Sequence, residues 1–91
     1  MTNINQNNIN GVILEICNEY AEFLSQGVVK AIFEHVNYGE QILAFQELCN
    51  YLYEYDVLIS EETFSTIQQI GHKLEQDEVD WIFLQELLPK D

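Results

Sequence analysis

Three glutamates recur at every seventh position, Glu40, Glu47 and Glu54, within the run YGEQILAFQELCNYLYEYDVLIS that covers residues 38–60. Wound as a helix at about 100° per residue, residues 40–56 place these carboxylates in one stripe, with Leu43, Asn50 and Tyr51 set among them. A merely solvated face would mix lysine with glutamate and would have little use for a leucine and a tyrosine. Carboxylates around an apolar and an aromatic anchor suit a basic protein surface, because charge steers the encounter and desolvated anchors hold the complex. Glu40, Leu43, Glu47, Asn50, Tyr51 and Glu54 are therefore the candidate partner-binding residues. The competing reading is a solvated charge face on which single large side chains stand incidentally. The other side of the same helix, with Ile42, Phe45, Leu48, Cys49 and Leu52, reads as a core stripe.

Catalysis asks for a constellation, and none assembles from this sequence. His35 sits on a short helix beside apolar neighbours and reads as an edge histidine. His72 falls on the polar side of its helix without a serine or cysteine partner at a recognisable spacing. The glycines are isolated, so no phosphate-cradling loop exists. No D-x-[DN]-x-[DN]-G run offers a calcium loop. Cys17 and Cys49 both fall on apolar stripes and read as core thiols rather than a disulfide or a zinc pair. The expectation is a chain with no catalytic site, metal or cofactor.

Charge decides what kind of partner to expect. Sixteen acidic residues face three lysines and no arginine, for a net charge of −13. Nucleic acid and anionic membranes both need clustered Lys and Arg, so neither is expected as a direct partner. A basic protein is. The 47% apolar content is ordinary for a folded protein, and 91 residues make one domain, 1–91, with a thin core. The first ten residues, MTNINQNNIN, lack a basic segment followed by an apolar one, and no apolar run is long enough to span a bilayer. A cytoplasmic protein is expected, with residues 1–7 frayed.

The elements that must position the glutamate stripe follow from apolar spacing. A first helix runs from about Asn8 through Ile9, Val12, Ile13, Ile16, Tyr20, Phe23 and Leu24, with Gly27 as its C′ residue. Its Glu15, Glu19 and Glu22 offer either a second partner-facing strip or, the preferred reading, a solvated helix face. A short second helix carries Val28, Val29, Ile32, Phe33 and Val36 and ends near Asn37 and Gly39. The glutamate helix is third. Residues 56–59 read as an extended, partly buried connection, and Ser60 caps a fourth helix that buries Phe64, Ile67, Ile70, Gly71 and Leu74. Asp77 caps a fifth, whose Val79, Trp81, Ile82, Phe83, Leu84, Leu87 and Leu88 are apolar nearly all round. Such a helix is either central to the core or shared in a homodimer. The sum is an all-α fold, a small compact bundle of about five short helices.

The stretch YGEQILAFQELCNYLYEYDVLISEETFSTIQQIG, followed by LEQDEVDWIFLQELL, resembles the MafI-type immunity proteins of bacterial polymorphic toxin systems. In that family a Gly-Glu pair opens a helix, an alanine follows four residues after the glutamate, and a Leu-x-x-x-Leu-x-Glu pattern closes it. Gly39, Glu40, Ala44, Leu48, Leu52 and Glu54 hold those places here. Ile59 and Ser60 match the family's next helix start, and Trp81 its short final helix. The resemblance covers roughly the C-terminal 55 residues and rests mostly on hydrophobic spacing. It implies a small helical protein that binds and neutralises one cognate secreted toxin, as in contact-dependent inhibition, with a basic nuclease as the common target. An acidic helical adaptor that docks on a cellular protein without inhibiting it is the alternative.

Overall fold

Ile9, Ile13, Ile16 and Cys17 fall a turn apart, and their side chains form the buried stripe of the first helix, α1 (Ile9–Glu19), in the computed structural model, which describes residues 8–90. The helix stops at Tyr20, short of the Gly27 end expected from apolar spacing. A single 3₁₀ turn, Ala21–Phe23, follows and leaves Phe23 exposed, while Leu24 stays buried. Gly27 instead lies in the first turn of α2 (Gln26–Asn37). The stronger signal is Ser25, whose hydroxyl accepts from the Val28 N–H at 3.2 Å and starts that helix. The Asn-rich segment expected to fray, residues 1–7, lies outside the described residues.

Val28, Ile32 and Val36 are the buried side of α2, which packs along α3 (Gln41–Glu54). The turn between them needs a left-handed residue and has one, Gly39 at φ +77°. Its N–H donates to the Val36 carbonyl at 3.1 Å and the Glu40 N–H to the His35 carbonyl at 2.8 Å, the paired bonds of a Schellman end. On α3 the buried residues are Ala44, Phe45, Leu48, Cys49 and Leu52. Ile42, expected in that stripe, is 44% exposed. Ala44 takes its place because the stripe sits further toward α2.

The end of α3 repeats the Schellman pattern without glycine. Asp56 adopts φ +54°, its N–H meets the Tyr53 carbonyl at 3.0 Å, and the Val57 N–H meets that of Leu52 at 3.0 Å. Val57 and Ile59 then bury while Leu58 between them is exposed, which is the extended connection read from the sequence. Ser60 caps α4 (Glu61–Lys73) by accepting from the Thr63 N–H at 3.0 Å. Phe64, Ile67, Ile70 and Gly71 are buried as expected, and Leu74 is half-buried at the C-cap. A third Schellman end closes α4, with Glu75 at φ +57°.

The expected fifth α-helix is two 3₁₀ segments, Glu78–Asp80 and Ile82–Leu87, parted by Trp81. Asp77 does cap the first of them, accepting from the Val79 N–H at 3.2 Å. Trp81, Leu84 and Leu87 are spaced by three, which is the period of a 3₁₀ helix, and all three are buried on one side. Trp81 is fully buried against Gly71, where an added Cβ would meet the indole at 2.2 Å. It also meets the Phe45 ring edge-on, at 6.1 Å between centroids. This segment therefore spends most of its apolar perimeter inside its own core. The described residues are all-α, with no strand, in a small compact bundle, and none of their helices is long and apolar enough to cross a membrane.

Candidate functional site

The outward face of α3 carries the six residues singled out by spacing, in two different roles. Leu43, Asn50 and Glu54 stand exposed along it, and Glu40 is exposed at the N-cap position. Glu47 lies at the edge facing α2, where its Oε1 is 2.5 Å from His35 Nδ1 and only 21% of its side chain is exposed. Tyr51 is half-buried against the core, with its ring stacked on that of Tyr55 at 6.1 Å and 26°. The geometry thus leaves Glu40, Leu43, Asn50 and Glu54 open to a partner and ties Glu47 and Tyr51 into the fold.

The surface is more aromatic than the spacing argument expected. Tyr53 and Tyr55, which flank the stripe, are each 43% exposed, and Ile42 and Tyr38 are exposed as well. Tyr53 meets Phe83 edge-on at 5.1 Å and donates its hydroxyl to Glu86 Oε1 at 3.2 Å. That bond and the negative charge of Glu86 raise the phenol above its ordinary range. The signal was in the sequence: Tyr51 and Tyr55, four residues apart, share one side of the helix while Tyr53 points nearly the opposite way, so one buried stripe cannot hold all three.

A second acidic feature forms between α1 and α4. A cleft of about 720 Å³ has Val12 and Ile16 in its lining, together with Glu15 and Glu19 from α1 and Glu61 and Glu62 from α4. Glu15 and Glu19 had read as a solvated face, and Glu61 and Glu62 as acids suited to a helix start. Only the fold brings the two pairs to one place, because Tyr20 at the end of α1 is knitted into the α4 cap. Its hydroxyl shares a hydrogen bond with the Thr63 hydroxyl at 2.9 Å and accepts from the Ser60 N–H at 3.3 Å.

The remaining chemically able side chains are engaged in packing. His72 lies edge-on to Trp81 at 5.3 Å. Cys17 and Cys49 are free thiols, both buried, as read from their stripes. Burial pushes the Cys17 thiol up to about 11, and burial together with the charge of Asp80 raises that of Cys49 further. Both stay protonated and poorly nucleophilic near neutral pH. Among the described residues no group of three or more His, Cys, Asp or Glu is disposed to hold a metal ion. Comparison of the chain with known protein families, with curated proteins and with solved structures finds no match.

Proposed function

We propose that this chain binds and neutralises a basic protein, a secreted nuclease toxin of the class met by immunity proteins, by laying its acidic surface over the toxin's substrate cleft. The observation that carries the reading is the α3 face. Exposed carboxylates at Glu40 and Glu54 lie on either side of an exposed Leu43, with the exposed Tyr55 at the helix end, on a chain with sixteen acids and three lysines. Nuclease clefts are basic because their substrates are anionic, so the same charge complementarity that draws in nucleic acid would draw in this surface. Occlusion then needs no chemistry from the inhibitor.

The resemblance to MafI-type immunity proteins supports the reading at the level of architecture. Gly39 is the left-handed residue before α3, Ala44, Leu48 and Leu52 are core, Ser60 is a cap and Trp81 is buried. These are positions that hold the fold, so the identity of the toxin is left to the exposed residues. The test is co-expression with a cognate nuclease toxin domain. Cells that die with the toxin alone should grow when the chain is present. A double change, Leu43→Asp with Glu54→Lys, should abolish protection while helical circular dichroism is kept. Continued killing in the presence of the folded, unaltered chain would overturn the proposal.

A further inference from the structure

Resting on the assignment of the α3 face as the contact surface, we infer that its C-terminal end selects arginine over lysine in the partner. Three separate features converge there. The first is the offset stack of Tyr51 on Tyr55, with Tyr55 43% exposed at the C-cap, so that aromatic surface is offered to solvent. The second is charge. Glu54 and Asp56 flank Tyr55 in the chain, both are exposed, and Glu54 follows Tyr51 by three residues, which puts the two on neighbouring positions of the helix surface. The third is the helix end itself. The last turn of α3 holds no basic residue and does hold Glu54, so the negative end of the helix dipole meets a further negative charge instead of a cation.

A cation docked at this end relieves both the dipole and the carboxylates, and the rings decide which cation. A guanidinium is planar and weakly hydrated, stacks on an aromatic face, and still presents N–H groups in its plane to carboxylates on either side. An ammonium is a compact, strongly hydrated point charge that cannot do both at once. The occupant is therefore an arginine-bearing segment of the basic partner, with its guanidinium over Tyr55 and its donors toward Glu54 and Asp56. The α1–α4 cleft has carboxylates but no aromatic residue in its lining, so it should not discriminate between the two cations.

The test uses the whole chain, ¹⁵N-labelled, titrated at physiological ionic strength with two capped peptides of equal length and charge, one arginine-rich and one lysine-rich. The arginine peptide should bind roughly threefold or more tightly, a ratio in the range of exposed cation–π contacts. Amide shifts should centre on Tyr51, Glu54, Tyr55 and Asp56. Tyr55→Leu should bring the two affinities together, and Glu54→Gln should weaken both peptides while leaving their ratio. Equal affinities for the unaltered chain, shifts centred on the α1–α4 cleft, or a preference that survives Tyr55→Leu would each overturn the inference. Arginine preference without protection from the toxin removes the proposed function and leaves this inference standing. Protection without arginine preference does the reverse.

Discussion

His35 Nδ1 stands 2.5 Å from Glu47 Oε1, and this contact joins the last turn of α2 to the middle of α3. Glu47 therefore belongs partly to the scaffold, although its spacing with Glu40 and Glu54 suggests a single homogeneous strip. The pair separates two effects that a charge argument alone would merge. Glu47→Ala should cost about 1 kcal/mol of stability, the net worth of a partly exposed hydrogen-bonded pair. Glu54→Ala should stay within about 0.5 kcal/mol because the residue is exposed. Urea midpoints of the two variants check this, and equal losses would show that the His35 contact contributes nothing.

Tyr20 and Thr63 supply the second prediction. Tyr20→Phe removes the hydroxyl that bonds Thr63, which is only 6% exposed, and that also accepts from the Ser60 N–H. Thr63 keeps the Ser60 hydroxyl as a partner at 3.0 Å and Ser60 is itself exposed, so the loss should cost about 1 kcal/mol. The same change should loosen the α1–α4 cleft, detectable as faster hydrogen exchange at the start of α4.

Two helix ends carry strain that can be removed. Asp56 at φ +54° and Glu75 at φ +57° occupy the left-handed position that glycine takes at Gly39. Glu75→Gly should raise stability by roughly 1 kcal/mol, since a side chain pays a penalty in that conformation. Asp56→Gly should gain less, because aspartate tolerates the region better. Thermal melting of the two single variants decides it.

The buried thiols give the dependence on pH. Cys17 is raised to about 11 in the fold and Cys49 is raised as well, so both keep their protons where an unfolded chain loses them. Their contribution is fully present below the ordinary thiol range and is lost as pH climbs through it toward about 11 for Cys17. Urea midpoints should therefore fall across that alkaline window, and less steeply in a Cys17→Ala, Cys49→Ala variant compared with its own neutral-pH value. A thiol reagent near neutral pH should label both cysteines slowly until denaturant is added.

Much of the scaffold was legible because its signals are local. Ser60 with two following glutamates announces a helix start, and Ile9, Ile13, Ile16 and Cys17 announce the face it buries. Of three misreadings, two have their cause in packing and one in a cap. Ile42 gave way to Ala44 because apolar spacing fixes a stripe only to within about one residue, and contact with α2 chose the smaller side chain. Gly27 looked like a stop because glycine so often is one, yet Ser25 already bound the next helix. The final helix looked apolar all round under a period of 3.6, whereas Trp81, Leu84 and Leu87 obey a period of three. The candidate site was legible as a face and not as an inventory. Spacing put Glu40, Leu43, Asn50 and Glu54 outside together, but the claim of His35 on Glu47 and the meeting of Glu15 and Glu19 with Glu61 and Glu62 are tertiary facts.

The indole of Trp81 occupies the volume that any side chain at position 71 would need, since a Cβ there would come within 2.2 Å of it. Position 71 cannot gain a side chain while the indole is there. A lineage that acquires alanine or serine at 71 must first or simultaneously shrink position 81, so descendants of this chain should show the two positions changing as a pair. Glycine in the last turn of a helix with tryptophan ten positions later is thus an inheritable mark of this core. It should outlast the acidic face, whose residues are free to follow a changing partner.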